Sequence, residues 1–216
     1  MSGDGERGLG SRRVEGETFS DLYLKEVAAV AATLPREALE ALATKLAGVR
    51  ERRGRLFVLG VGGGAGHASH AVNDFRKLCE LEAYTPVDNV SELTARANDD
   101  GWAESFAGWL SASRLSSNDA ILVFSVGGGS REKGVSTNLV RALELAREIG
   151  TPVYGIVGRD GGETARIAEV CVVVEAPAER VTPHVEGFQA ILWHLLVSHP
   201  LLATKPGRWE TLELRG

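Results

Sequence analysis

The sequence predicts an α/β protein of three layers, a parallel sheet of about five strands between helices, preceded by an N-terminal helical hairpin. Three observations carry the prediction. Short apolar runs recur at residues 56–59, 120–124, 152–157 and 170–174, lengths that suit strands buried on both faces. Helical patterns alternate with these runs, the order expected of a parallel sheet with crossover helices. The first two runs lead directly into glycine-rich turns, and ligands in such sheets bind at the carboxyl ends of strands.

Residues 1–16 carry glycine and charge and almost nothing apolar, so a disordered tail is expected there. Phe19, Leu22, Tyr23, Val27, Val30 and Leu34 then repeat at helical spacing. Pro35 interrupts them and suits the first turn of a second helix, which shows Leu39, Leu42, Leu46 and Val49 on one face and runs to about Arg53. The hairpin is therefore expected over residues 17–53, the α/β domain over 54–200 and a C-terminal tail over 201–216, with Trp209 and Leu212 available to dock on the body. Within the domain, residues 82–87 form a candidate short strand containing Pro86, and Asp88 to Glu92 a turn and helix cap. Asn98, Asp99, Asp100 and Gly101 read as a polar break before a helical piece over 102–115. Further helices are expected from about Leu139 to Ile149, ended by Gly150, over 163–168, and from Thr182-Pro183 to Ser198.

Composition narrows the function. Of 216 residues, 44% are apolar, enough for a sizeable core, and a net charge of −5 with no dense basic cluster argues against nucleic-acid binding. No apolar run is long enough to span a bilayer, and the N-terminus lacks the layout of a secretion signal. Cys79 and Cys171 sit in apolar surroundings and read as buried thiols, which points to a reducing cytoplasm.

The stretch around the first glycine turn carries the chemistry. Gly60, Gly62, Gly63 and Gly64 allow close backbone approach, and a helix that follows aims free N–H groups at an anion. On that helix His67, His70 and Asp74 share a face, a set that can bind a metal or move protons. Two plainer readings compete: the string Gly60-x-Gly62-x-x-Ala65 also fits a loose dinucleotide fingerprint with Asp88 as its acid, and histidines on a helix are often only solvated. The second turn offers the hydroxyls of Ser125, Ser130, Ser136 and Thr137 to phosphate, with Arg131 and Lys133 adding charge.

These residues resemble a known family. Gly60-x-Gly62-Gly63-x-Ala65, His70 with Asp74, Asn98-Asp99-x-Gly101, Ser125 with its glycine loop, Asn138 to Leu143, and Thr182-Pro183-x-Val185-Glu186 with His194 resemble the SIS (sugar isomerase) domain, a flavodoxin-like fold, and within it the phosphoheptose isomerases. The resemblance covers about residues 19–198. It implies a metal held by His70, Asp74, Glu186 and His194, with Asp74 and His194 as the acid–base pair. It implies substrate contacts from the first turn at Val61, Gly62, Gly63 and Gly64, from Asn98 and Asp99, and from the second turn at Ser125, Val126, Gly127 and either Ser130 or Ser136. Lys133, in an insertion beside that turn, and Glu186 and Gln189 on the last helix join the expected contacts. This chain departs from the family in having Asp74 for Glu, Glu186 for Gln, and Val61 and Gly64 for Asn and Ser.

The expected activity is aldose–ketose isomerisation between sedoheptulose 7-phosphate and D-glycero-D-manno-heptose 7-phosphate, assisted by a divalent metal, Zn²⁺ from the donor types. The alternative is a non-catalytic SIS module that binds a phosphosugar as a regulator, or a protein partner. Glu186 and His194 are eight residues apart, about 12 Å along an ideal helix, so both reach one ion only through an irregular first turn or across subunits. The second option matches an expected homotetramer with shared sites, its interfaces lined by the hairpin.

Overall fold

The computed structural model describes residues 16–212. Two helices come first, α1 (Phe19–Thr33) and α2 (Arg36–Glu51). Thr18 caps α1, its hydroxyl accepting from the Asp21 N–H at 3.1 Å while the Asp21 carboxylate accepts from the Thr18 N–H at 3.0 Å. The expected N-terminal disorder lies outside the described residues, apart from Gly16.

The domain then alternates: β1 (Leu56–Gly60), α3 (Gly63–Cys79), β2 (Ala83–Tyr84), α4 (Val90–Asp99), a 3-10 turn (Trp102–Glu104), α5 (Ser105–Ala112), β3 (Ala120–Ser125), α6 (Thr137–Ile149), β4 (Val153–Gly158), α7 (Gly162–Ile167), β5 (Val170–Val174) and α8 (Val181–Ser198). The strands form one parallel sheet in the order β2-β1-β3-β4-β5. Chain connections leave β1 and β3 in opposite directions along the sheet, and the crevice between their carboxyl ends is the switch point where such sheets bind ligands.

Every residue of β1, β3 and β4 is buried. Alternation sorts them between two cores. Leu56, Val58, Leu122, Phe124 and Ile156 face α2, α3 and α8, where Leu42, Leu46, Phe75, Leu192 and Trp193 meet them. Phe57, Leu59, Ile121 and Val123 face α5 and α6, where Phe106, Leu110, Leu139 and Leu143 do the same. The hairpin thus closes the sheet through α2, while α1 leaves Phe19 and Leu24 exposed.

Several local expectations needed correction. The strand expected at 82–87 shrinks to two residues, because it is the sheet edge and Pro86 has no N–H to donate. Asn98 and Asp99 form the last turn of α4, capped at its start by Asn89, and the break begins at Gly101 with φ 85°. α3 begins at Gly63 rather than Ala65, since first-turn residues have no intrahelical N–H bond to lose. Arg180, not Thr182, occupies the N-cap of α8. Cys79 is buried but Cys171 is only half-buried. Gly150 ends α6 in the left-handed region as expected. The start of the C-terminal tail is docked, with the Leu201 and Leu202 carbonyls accepting from Arg50 at 2.8 and 2.7 Å, whereas Leu212 is exposed.

Candidate functional site

The first glycine turn brings α3 tightly onto the sheet. A side chain at Gly60 would meet the Gly64 carbonyl at 2.2 Å, and one at Gly64 would meet the Phe124 carbonyl of β3 at 2.5 Å. Gly64 is therefore required by backbone contact, which accounts for the absence of a hydroxyl there. Gly62 sets the turn with φ 61° and ψ −125°.

Beyond this turn, α3 runs beside α8 in the same direction, so that early residues of one helix meet early residues of the other. His70 and Asp74, one turn apart on α3, meet His194 of α8, and one donor atom from each lies within 4.8 Å of the others. His70 Nε2 is 3.7 Å from Asp74 Oδ2, and the His70 and His194 rings are edge to face with centroids 5.6 Å apart. His194 Nδ1 lies 2.7 Å from the Ala190 carbonyl. A carbonyl only accepts, so Nδ1 carries the proton and Nε2 keeps a free lone pair. The Asn73 amide donates to Asp74 Oδ1 at 2.8 Å and steadies the carboxylate. Trp193 is buried beneath, with ring centroids 3.4 Å from His194 and 4.6 Å from His70. Nothing in its local sequence marked it except its position before His194.

Two imidazoles and a carboxylate within this span fit a borderline divalent ion and leave coordination positions open for substrate or water. Glu186 is not in the group. Its half-buried carboxylate lies instead over the first turn of α3, where a methyl on Gly63 would fall 2.5 Å from its carboxyl carbon. α8 is continuous from Val181 to Ser198, so the irregular first turn that would let Glu186 join His194 on one ion does not occur. His67 lies between the two levels. Burial lowers its pKa from the ordinary value, and the nearby Glu186 offsets part of that lowering.

The second turn is held in place from beneath. Ser125 Oγ accepts from the Gly128 N–H at 3.0 Å, and the Gly128 carbonyl accepts from the Thr164 N–H and hydroxyl at 3.0 and 2.8 Å. Gly128 and Gly129 have φ of 69° and 80°, and a side chain on Gly128 would strike the Gly161 carbonyl. The insertion closes on itself through Ser130 and Val135, whose main chains exchange hydrogen bonds of 2.9 and 3.0 Å. Arg131 turns away from the loop to pair with Glu144, which also takes Arg141. Lys133 and Ser130 line a cavity of about 390 Å³ with Val126, Gly127 and Arg159. Ser136 is the left-handed N-cap of α6 and makes no side-chain capping bond, so its hydroxyl is uncommitted.

Three further expected contacts, Gln189, Asn98 and Asp99, have partners within the chain. Gln189 is fully buried and gives its amide to the Ile156 carbonyl of β4 at 3.2 Å, while its Oε1 is buried without a partner. Asn98 and Asp99 hydrogen-bond each other at 2.8 Å on the exposed end of α4.

Comparison with known proteins decides the family. The SIS domain model matches residues 22–158, well over half of the chain. The chain belongs to the SIS domain family. Among curated relatives of this SIS domain, the phosphoheptose isomerase of Desulfovibrio desulfuricans is 34% identical over 170 residues, covering 76% of this chain and 74% of its own. That of Helicobacter pylori strain Shi470 is 29% identical over 151 residues, covering 68% and 73%. In fold, the phosphoheptose isomerase of Neisseria gonorrhoeae superposes with a TM-score of 0.71 at 23% identity, covering 83% of this chain and 96% of its own. By this kinship the SIS domain described here is a phosphosugar isomerase.

Proposed function

We propose that this SIS domain interconverts sedoheptulose 7-phosphate and D-glycero-D-manno-heptose 7-phosphate, using His70, Asp74 and His194 to hold a divalent ion, Zn²⁺ by donor type. The observation that carries the reading is the convergence of those three side chains on α3 and α8, in a sheet whose β1 and β3 lead into glycine turns at their carboxyl ends. Held by these three residues, such an ion would supply a Lewis acid for the substrate's oxygens.

The chain's own groups do the rest. Ketose-to-aldose conversion takes one proton from C1, returns one to C2, and moves a hydroxyl proton from O1 to O2, so no external reductant is needed. Asp74, oriented by Asn73, is the base for the carbon-bound proton. His194, with Nδ1 committed to Ala190, has one lone pair, on Nε2, which serves either the ion or, when released from it, a proton at the partner carbon or oxygen. The phosphate is held at the other end by the Gly127–Gly129 main chain, Ser125 and Ser136, with Lys133 supplying charge. The Trp193 ring fixes both imidazoles from below.

Exposed apolar side chains on α1 (Phe19, Leu24) and α8 (Ile191, Leu195) support a homotetramer, to be checked by light scattering, and the free thiols suit the cytoplasm. The decisive experiment is a coupled assay with sedoheptulose 7-phosphate, with and without chelator. Metal-dependent formation of the aldose is expected. Binding without turnover in metal-restored protein would make the chain a regulatory phosphosugar module instead.

A further inference from the structure

The insertion after the second glycine turn is tied to α6 by a buried charge. Arg131 leaves the insertion to meet Glu144 of α6, and Arg141 meets the other oxygen of the same carboxylate. Arg141 also donates to Glu104 of the 3-10 turn at 2.7 Å. Glu144 is buried, whereas Arg131 is exposed. The main-chain bonds between Ser130 and Val135 tie the insertion to itself; the Arg131–Glu144 pair ties it to the body. So anchored, the insertion forms one wall of the 390 Å³ cavity through Ser130, Lys133 and Val135. The loop after β4 forms another, and its first residue is Arg159. Arg159 holds a φ of 56°, a left-handed backbone that a residue with a side chain adopts at some cost. The neighbouring Gly158 N–H is fixed to the Val126 carbonyl at 3.1 Å. The Arg159 Cδ passes 3.5 Å from where a side chain on Gly127 would begin, so its stem lies against the second turn. Among the described residues, the Gly127 and Gly129 N–H groups make no hydrogen bond, and Lys133 and Arg159 have no ion-pair partner. Of the acids there, Glu163 is taken by Arg166 at 2.8 Å and Asp160 accepts from the Gly162 N–H at 3.3 Å. Glu132 stands next to Lys133 with the opposite charge, so the lean of the insertion decides which sign is offered beside Arg159.

We propose that Glu144 is a positioning residue: through Arg131 it holds the insertion so that Lys133 and Arg159, from two different loops, together receive the substrate's phosphate over Gly127 and Gly129. The proposal rests on the isomerase reading above. A guanidinium gives two parallel donors to phosphate oxygens, an ammonium adds charge without fixed direction, and free main-chain N–H groups complete the set. Glu144 touches none of the substrate. It acts by keeping the ammonium, and not the adjacent carboxylate, beside the guanidinium.

The test reads phosphate binding and the hold on the insertion separately. Inorganic phosphate is titrated calorimetrically into the full-length, metal-loaded protein, and trypsin cleavage after Lys133 is timed in the same samples. Wild type should bind phosphate and resist cleavage. Glu144→Gln, which keeps the size and removes the charge, should weaken phosphate about fivefold or more and speed the cleavage. Arg131→Ala cuts the tether at its exposed end and leaves the buried carboxylate with Arg141; it should do the same. Arg159→Ala should weaken phosphate about tenfold without changing the cleavage, and Arg159→Lys should restore part of the affinity. With sedoheptulose 7-phosphate, Glu144→Gln and Arg131→Ala should raise KM and keep kcat within about twofold of wild type. Unchanged phosphate affinity in Arg131→Ala would overturn the proposal, whether or not Glu144→Gln folds. Weakened affinity with wild-type cleavage would overturn it too, as would a fall in kcat with KM unchanged. The expected losses of phosphate affinity in a protein that fails to isomerise would keep the clamp and remove the isomerase reading alone. Isomerisation by a wild type that binds no inorganic phosphate would remove the clamp alone.

Discussion

Removing one hydroxyl separates the two jobs of the second glycine turn. Ser125 Oγ accepts from the Gly128 N–H at 3.0 Å, yet its own O–H remains available to a phosphate oxygen. Ser125→Ala therefore has two expected costs. The Gly128 N–H loses its partner in a buried turn, worth about 1–3 kcal/mol of stability. In a chain of this size that lowers Tm by roughly 2–4 °C per kcal/mol. The lost bond to a charged phosphate is worth about 1.5–3 kcal/mol, which is roughly tenfold or more in KM. Lys133 contrasts with it: exposed in the insertion, it supplies a screened charge worth about 1 kcal/mol at most, roughly fivefold in KM, and strongest at low salt. Thermal melts and steady-state kinetics on Ser125→Ala, Ser125→Thr and Lys133→Ala give both quantities. A lowered Tm with unchanged KM in Ser125→Ala would show that the serine only shapes the turn. Unchanged KM in Lys133→Ala as well would refute the assignment of the phosphate to this loop.

Three further outcomes are expected. His70→Ala should lose the divalent ion, read by elemental analysis, since the two remaining donors come from different helices; full metal occupancy in the variant would refute the assigned ligand set. Asp74→Asn and His194→Gln should each lower kcat by about 10²–10⁴-fold in molecules shown to retain metal, because each replaces a titrating group with a polar one of similar size. The third outcome concerns acid stability. Bonds from Arg180 and then His184 hold Glu26 at about 2, well below its ordinary value of 4.5. A depressed carboxylate stabilises the fold above its unfolded pKa and loses that contribution as pH falls toward the folded one, so the link between α1 and α8 should weaken between about pH 4.5 and 2. Glu26→Gln should flatten that part of the Tm–pH curve; an identical slope would refute the linkage.

Much of the fold was legible because burial and backbone geometry leave local traces. Continuous apolar runs marked β1 and β3, and the glycines after them marked turns where the backbone approaches another chain segment within a side chain's radius, as Gly64 does with Phe124. His70 and Asp74 were legible as a pair because helical spacing alone brings them together. His194 carries no such trace: only the family pattern connected it to α3, since its meeting with His70 depends on how α8 packs across the sheet. Gln189 shows the same limit. A glutamine on an apolar helix looks like a polar group aimed at a ligand, and only packing reveals that the Ile156 carbonyl consumes its amide. Arg131 misled in the opposite sense, because a basic residue beside a glycine loop suggests phosphate, while Glu144 on α6 holds it elsewhere.

The position of Glu186 shows what sequence spacing can and cannot decide. Eight residues on one helix put two groups about 12 Å apart, which argues that Glu186 and His194 of one chain cannot share an ion through a straight helix. The same distance suits an extended sugar phosphate, whose two ends also need contacts at different depths. A continuous α8 beside α3 supplies groups at two depths: a carboxylate near the first glycine turn and an imidazole two turns deeper. His67 sits between them, and burial lowers its pKa from the ordinary value. Glu186 thus stands over the first turn of α3, while His70, Asp74 and His194 form a three-donor group within reach of one ion without it.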